Sequence, residues 1–344
     1  MDKIAVVILT WNGEELLKEF LPKVVEYSNL PNTTIYVADN ASTDNSVNYI
    51  KNNFQNVKLV INNENYGFAE GYNKALKHIN AEYYAIINSD IEVTQGWLNG
   101  LLNAIEQDEN IAAVQPKILS YKNKEYFEYA GAAGGMIDRF GFTFCRGRLF
   151  NVFEKDENQY NNQSDIFWAS GACIFINAKL FHKVKGFDAD FFAHMEEIDL
   201  CWRLKNRGYR ILYTPESTIY HVGGATLEES NPFKTYLNFR NNLFLLYKNL
   251  PTNKIKRVFV TRLLLDGVAG MKFILSFEIK NFIAVLKAHY YFYTNISKFK
   301  YKRHENITHN TKYNHAEIYN GSIVYDFFIK GIKKFSDLSF KINN

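Results

Sequence analysis

The sequence predicts an α/β protein: a mainly parallel, Rossmann-like sheet with helices on both faces, followed by a helical C-terminal appendage. Three observations carry this. Short continuous apolar runs such as Ile4-Ala-Val-Val-Ile-Leu9 mark strands buried on both faces. These runs alternate with segments of helical period, the arrangement that parallel strands and their crossovers require. Past about residue 230 the strands stop, and long apolar-aromatic stretches broken by charge take over. The expected division is therefore 1–230, with halves of about 1–115 and 116–230, and a helical region over 231–344.

Taken in order, Ile4 to Leu9 is the first strand, and Trp11-Asn-Gly13 turns the chain into a helix over Glu14 to Tyr27. Thr34-Ile-Tyr-Val-Ala38 is a second strand ending in Asp39-Asn40, followed by a helix over 42–54 and a third strand, Val57 to Ile61. A helix over Phe68 to Ile79 leads to the fourth strand, Tyr83 to Ile87, which ends in Asn88-Ser-Asp90. Ligands of such sheets bind beyond the carboxyl ends of the strands. Thr10-Trp-Asn12, Asp39-Asn40 and Asn88-Ser-Asp90 all sit there, aiming polar groups into one crevice. Ordinary helix capping explains Ser42 and Asp44, but it explains three convergent clusters poorly.

Composition narrows the function classes. A chain of 344 residues, 47% hydrophobic and 22% charged, can bury one large core plus an appendage. A net charge of +4 is too mild to imply nucleic acid, and no nucleic-acid-binding motif is present. Cys145, Cys173 and Cys201 are widely spaced, odd in number and form no CxxC pair, which fits reduced thiols in a cytosol. No glycine-rich phosphate cradle follows the first strand, and the cluster Gly131 to Gly135 follows no clear strand. This argues against a dinucleotide oxidoreductase or a P-loop enzyme. A diphosphate in the crevice would then need a metal, and Asp90 is a hard oxygen donor suited to Mg²⁺ or Mn²⁺.

The run from His194 to Arg203 opens with Glu196, Glu197 and Asp199. Helical spacing sets Glu197 in the apolar stripe of Leu200, Cys201 and Leu204, and turns Glu196 and Asp199 toward Arg203 and Arg207. An inward carboxylate costs desolvation energy that the helix dipole offsets only in part. The plainer reading is acidic decoration of a first turn.

Together these residues resemble family 2 glycosyltransferases, nearest to the bacterial rhamnosyltransferase-like branch. The motifs are Val6 to Gly13, Asp39 to Asp44, Asn65 to Asn73, Asn88 to Asp90, Trp168 to Cys173, Gly186-Phe-Asp188, Glu196 to Gly208 and His221-Val-Gly-Gly224. Each is weak alone, but their order over about residues 3 to 250 is specific. The resemblance implies a GT-A fold, a nucleotide-diphosphate sugar donor, a divalent metal (Mn²⁺ or Mg²⁺), inversion at the anomeric carbon and a glycan or lipid-linked acceptor in surface polysaccharide synthesis. It implies donor recognition in 1–115 and acceptor recognition in 116–230.

Carried over residue by residue, it puts Thr10, Asn12 and Glu14 in the nucleotide pocket. Asp39 would contact the base, with Asn40 and Ser42 on the same wall. Asn65, Gly67, Phe68, Gly71 and Asn73 would line the donor pocket. Asn88-Ser89-Asp90 stands where the family carries DxD, so Asp90 would bind the metal, with Asn88 a departure that lowers the charge there. His221 would add a ligand or touch the diphosphate. Glu197 falls at the general-base position, a Glu where the family has Asp, with Glu196 as runner-up. Apart from the resemblance, the small residues of Trp168-Ala-Ser-Gly171 allow close backbone approach, so Trp168, Ser170 and Gly171 are expected to border the acceptor. Residues 121 to 165, with Tyr126, Tyr129, Arg146 and Arg148, read either as irregular loops or as an acceptor-side lid.

The C-terminal stretches Phe233 to Tyr247, Ile255 to Gly267 and Phe273 to Tyr293 are all interrupted by charge, too soon to span a bilayer. They suit either helices packed on the protein or in a homodimer, or a peripheral anchor on the inner face of the cell membrane. Two other functions compete. A non-catalytic nucleotide-sugar-binding protein would not need Glu196-Glu197, and a sugar nucleotidyltransferase would carry a glycine- and basic-rich first loop.

Overall fold

The computed structural model describes residues 1–223 and 231–340. Gly224 of the last motif and the expected boundary near 230 lie outside the described residues. The chain begins β1 (Asp2–Thr10), α1 (Glu14–Tyr27), β2 (Thr33–Asp39), α2 (Ser46–Asn53), β3 (Val57–Ile61), α3 (Gly67–Leu76) and β4 (Ala81–Asn88). There follow β5 (Ile91–Val93), α4 (Trp97–Ile105) and β6 (Ile111–Ser120). Four short strands, β7 (Gly135–Asp138), β8 (Thr143–Cys145), β9 (Arg148–Leu149) and β10 (Val152–Phe153), precede β11 (Ser164–Asp165) and β12 (Cys173–Asn177). The sheet-forming part of the chain ends with α5 (Ala178–Lys183), α6 (Glu196–Asn206) and β13 (Arg210–His221). Then come α7 (Pro232–Asn249), α8 (Thr252–Leu275), α9 (Ile279–Thr308), β14 (Ile318–Tyr319) and α10 (Ile323–Phe328).

The main sheet runs β11-β13-β6-β12-β4-β1-β2-β3, with β5 on β13. Strands β4, β1, β2 and β3 are parallel, β12 runs antiparallel between β4 and β6, and β13 is parallel to β6. Alternate residues of β1 serve two cores, Val6 and Ile8 on one face and Ala5 and Val7 on the other. Parallel register aligns Thr10 with Asp39 and Leu9 with Asn88, so the polar clusters do end on one rim.

Two expectations need correction. Residues 121 to 165 are not simply irregular: β10-β9-β8-β7 form a small antiparallel sheet, and β14 completes it by pairing parallel to β7. The C-terminal segment is thus stitched into the middle of the chain. Asp138 accepts hydrogen bonds from the Phe140, Phe142 and Ile323 amides, and Glu154 from that of Phe335. In the same region Arg146 and Arg148 are buried, not offered to phosphates. Arg146 stacks between Tyr160 and Tyr213, and Arg148 lies 4.3 Å from the Tyr129 ring centre. The second helix starts at Ser46 rather than 42, because Asp44 accepts from Ser46 N and residues 42–44 fold back onto Asn12.

Candidate active site

The first wall is built from the ends of β1 and β2. The Asn12 amide donates to Ser42 Oγ at 2.9 Å, and Asn12 Oδ1 accepts from Thr43 N at 2.8 Å. Glu14 N donates to Asp44 Oδ2 at 3.0 Å. Asp39 is buried, with Oδ2 accepting from Ser42 N, while its Oδ1 and the Thr10 hydroxyl are enclosed without a hydrogen-bond partner. Buried polar atoms are normally satisfied, so these two stand out as free to accept or donate a further hydrogen bond.

Behind this wall, Asn40 Nδ2 donates to Asn65 Oδ1 and to Gly67 O, both at 3.0 Å, and Asn62 Nδ2 donates to Asn40 Oδ1 at 3.0 Å. Asn62 carried no signal in the sequence beyond a polar residue after a strand. Gly71 packs so tightly on this cluster that a Cβ would lie 3.0 Å from Asn40 Nδ2. Asn73 differs from expectation: both ends of its amide are taken by the Phe187 backbone, at 2.8 and 3.0 Å, so it braces that loop instead of facing a donor.

Strand β5 pairs antiparallel with β13 in a register that matches Ile91 with His221. This brings His221 Nε2 to 3.2 Å from Asp90 Oδ1, and Glu128 Oε2 lies 3.0 Å from His221 Nδ1. Burial opposes a charged ring here, but hydrogen bonds and charge from Asp90 and Glu128 win and push the His221 pKa up to about 10. The contact between Asp90 and His221 is therefore a buried ion pair at the end of the strand rim. Among the described residues no group of three or more His, Cys, Asp or Glu is set to hold an ion. Glu128 was missed because its place is set by the loop after β6. Asn88 and Ser89 are half-buried beside Asp90, and Asn88 N is tied to Ala172 O at 3.0 Å.

The third wall is the start of α6. Phe192, His194 and Met195 all have positive φ, near 64°, 68° and 73°. Such backbone persists only when its surroundings impose it. The buried Asn241 of α7 does so, its Nδ2 lying 3.0 Å from Phe191 O, 2.8 Å from Ala193 O and 2.7 Å from His194 O. Phe68 N also reaches Phe192 O at 3.2 Å, and a Cβ at Gly67 would strike the Phe192 ring at 2.7 Å. The donor-side loop and the approach to α6 therefore touch.

Glu196 and Glu197 each carry an enclosed oxygen, Oε2, without a hydrogen-bond partner. Glu196 is buried, and its pKa stands well above the ordinary carboxylate value because of burial and the neighbouring charges of Glu197 and Asp199. Glu197 is half-buried, and burial raises its pKa to about 7 against the pull of backbone amides at the helix start. The expected turn of Glu196 toward Arg203 is not seen, since only Asp199 pairs there, at 2.7 Å from Arg203 Nε. Lys248 of α7 completes a buried network, 2.8 Å from Asp199 and 2.5 Å from Asp188.

Of the expected acceptor residues, Gly171 packs between Phe68 and Glu197. A Cβ there would contact the Phe68 ring at 3.4 Å and Glu197 Cβ at 3.8 Å. Ser170 is buried, its amide donating to Gln115 Oε1 and its hydroxyl accepting from Ala172 N. Trp168 is a correction: it is core, 4% exposed, packed on Gly135, with its indole N–H on Met136 O.

The comparisons agree with this geometry. The model of Glycosyl transferase family 2 matches residues 5–185. The chain is similar to the N-acetylglucosaminyl-diphospho-decaprenol L-rhamnosyltransferase of Mycobacterium tuberculosis, 24% identical over 238 residues that cover 64% of this chain and 76% of that one. It is also similar to the low-salt glycan biosynthesis hexosyltransferase Agl10 of Haloferax volcanii, 22% identical, covering 76% of this chain and 81% of that one. Among solved structures, GalNAc-T7 with UDP, GalNAc and Mn²⁺ superposes with a TM-score of 0.58 at 16% identity, over 72% of this chain and 48% of that chain. The chain spans about half the length of that enzyme. With the strand-end crevice, the paired glutamates and the family match in agreement, the chain belongs to glycosyl transferase family 2 and is a glycosyltransferase of the GT-A fold.

Proposed function

We propose that the protein transfers a hexosyl or deoxyhexosyl group, with inversion, from a nucleoside-diphosphate sugar to a glycan or lipid-linked acceptor in surface polysaccharide synthesis. One observation carries the reading. Two glutamates at the start of α6 each have an unpartnered enclosed oxygen, and Gly171 separates one of them, Glu197, from Phe68 of the Asn65–Asn73 segment. The rhamnosyltransferase and hexosyltransferase relatives support the class of acceptor and product.

In this reading the free Oδ1 of Asp39 accepts a base N–H, and the Thr10 hydroxyl, Asn12 and Ser42 define the nucleotide wall. Asp90 would hold the ion, and His221, kept protonated between Asp90 and Glu128, would set a positive group beside the diphosphate or, in its neutral form, add a ligand. A bound Mn²⁺ or Mg²⁺ neutralises charge that builds on the leaving diphosphate. Glu197 takes the proton of the acceptor hydroxyl as that oxygen attacks the anomeric carbon from the face opposite the leaving group. Its pKa near 7 suits a base that must be ionised yet still strong at neutral pH. Glu196, more deeply buried and with its pKa raised well above the ordinary carboxylate value, is the poorer base of the two. A screen of nucleotide sugars with Mn²⁺, read by donor hydrolysis and by thermal shift, tests the proposal. Neither hydrolysis nor a shift with any nucleotide sugar would sink it.

A further inference from the structure

Helices α8 and α9 form a hairpin in which the polarity of α8 is inverted, while α9 buries Ala284, Val285, Ala288 and Phe292. The stripe of α8 that turns inward, Val258, Arg262, Asp266 and Gly270, contains an ion pair. Arg262 Nη2 lies 2.7 Å from Asp266 Oδ1, His289 of α9 lies 3.1 Å from Asp266 Oδ2, and the guanidinium covers the Phe142 ring at 3.9 Å. The stripe that turns outward is apolar: Val260, Leu263, Leu264, Val268, Met271 and Leu275, each at least 53% exposed. Outward residues of α9 continue it as Ile279, Ile283, Leu286, Tyr290 and Tyr293. At the tip, Phe277 adopts φ 60° and is 92% exposed. A helix surrounded by water carries its charges outside and its apolar stripe inside. Here the arrangement is reversed, so the medium or partner on the outer side is not water.

The charge around the stripe selects the occupant. Lys256, Arg257, Lys272, Lys280 and Lys287 are exposed on the same hairpin, whereas its acidic residues are the buried Asp266, the exposed Glu278 and, at the far end of α9 from the tip, Glu305, which pairs with Lys185. A second copy of this chain docking through the stripe would bring basic rim against basic rim. An anionic lipid surface matches both parts, acyl chains meeting the stripe and headgroups meeting the lysines. Tyrosines on α9 suit the headgroup level, where a ring can be half wet. Among the described residues no helix is long and apolar enough to cross a membrane, so the hairpin lies in the interface instead of passing through it. We propose that the outer face of the α8–α9 hairpin seats the enzyme on anionic lipid, with the Leu275–Phe277 tip inserted. This stands apart from the transfer reading, because it rests on the hairpin alone.

The test is flotation of the full chain with vesicles of phosphatidylglycerol and phosphatidylcholine in equal parts, beside vesicles of phosphatidylcholine only. Expected is binding to the first that weakens as salt rises, and a loss of at least about tenfold in the Leu264→Glu/Phe277→Glu variant. The variant's circular dichroism and donor hydrolysis should match those of the parent, which separates this result from any failure of the transfer reading. A Lys272→Gln/Lys280→Gln/Lys287→Gln variant should lose the preference for phosphatidylglycerol. No flotation at low salt overturns the proposal. So does a lipid-free dimer that Leu264→Glu dissociates in sedimentation equilibrium, since the stripe would then belong to a second copy.

Discussion

Asn241 Nδ2 of α7 lies 2.7 Å from the carbonyl oxygen of His194, two residues ahead of the paired glutamates. The same nitrogen is within reach of the Phe191 and Ala193 carbonyls. One buried amide on a C-terminal helix thus holds the left-handed turn that aims α6 at the donor-side loop. Asn241→Ala takes this donor from the Ala193 and His194 carbonyls, at about 1–3 kcal/mol for a buried group, while Phe191 O keeps Arg240 and the Ala193 amide, and it lets the turn relax. We expect kcat to fall at least about tenfold, as small misplacements of catalytic groups do, with little change in donor KM. A variant with a lower melting temperature but unchanged kcat would show that the contact is only structural.

Glu197→Gln should keep donor binding and cut turnover by at least ~10²-fold, the usual scale for a general base. Glu196→Gln should cost less, because that carboxyl is already held neutral. Steady-state rates beside calorimetric donor affinity check both. A larger loss from Glu196→Gln would transfer the base role to it.

The two glutamates also predict opposite trends with pH. Turnover should rise as pH increases through about 7, where Glu197 ionises. Stability should run the other way. The folded protein keeps protons on these groups above 4.5, where an unfolded glutamate has begun to lose them, so unfolding free energy falls as pH climbs from 4.5 toward 7. Asp188 and Asp199, whose pKa values are lowered despite burial by Lys248 and its neighbours, act at lower pH, where their stabilisation is lost on acidification. A Glu197→Gln variant whose melting temperature keeps the full decline between pH 5 and 7 would put its source elsewhere.

Asp90→Asn should abolish the Mn²⁺-dependent part of donor affinity while the fold survives, because an amide oxygen is a weaker partner for a hard cation. Titration calorimetry with and without Mn²⁺ reads this directly. Equal affinity in parent and variant would exclude Asp90 as the ligand.

What the sequence made legible were features set by local pattern. The apolar runs of β1 and β2 fixed where the chain reaches the rim, and i,i+4 spacing identified the Asp199–Arg203 pair. The features it concealed depend on distant partners. Asn241 meets His194 across 47 residues, and Lys248 meets Asp188 across 60. An isolated Asn or Lys in an apolar helix gives no sign of which carbonyl or carboxylate it serves. Strands β7 to β10 have only two to four residues, too few to show a period of two, and β14 joins them from the far end of the chain. Trp168 misled for a related reason: small neighbours suggested close approach by a ligand, but what approaches is Gly135.

Lys248 provides the sharpest test of how the C-terminal helices support the site. Its side chain is 2% exposed and lies between Asp188 and Asp199, and Lys302 of α9 also reaches Asp188 at 2.5 Å. Lys248→Met preserves the length of the stem but leaves Asp199 to Arg203 and Asp188 to Lys302. Removing one partner of a buried ion pair typically costs about 3–5 kcal/mol, because the remaining charge is stranded. Two remaining cations should hold the loss to the lower part of that range. Because Asp188 caps the turn at Ala189–Phe191, which precedes the strained approach to α6, turnover should fall along with stability. Urea unfolding together with kcat measures the two effects. A Lys248→Met protein as stable as the parent would mean that the network is replaceable by packing, and that α7 supports the site through Asn241 alone.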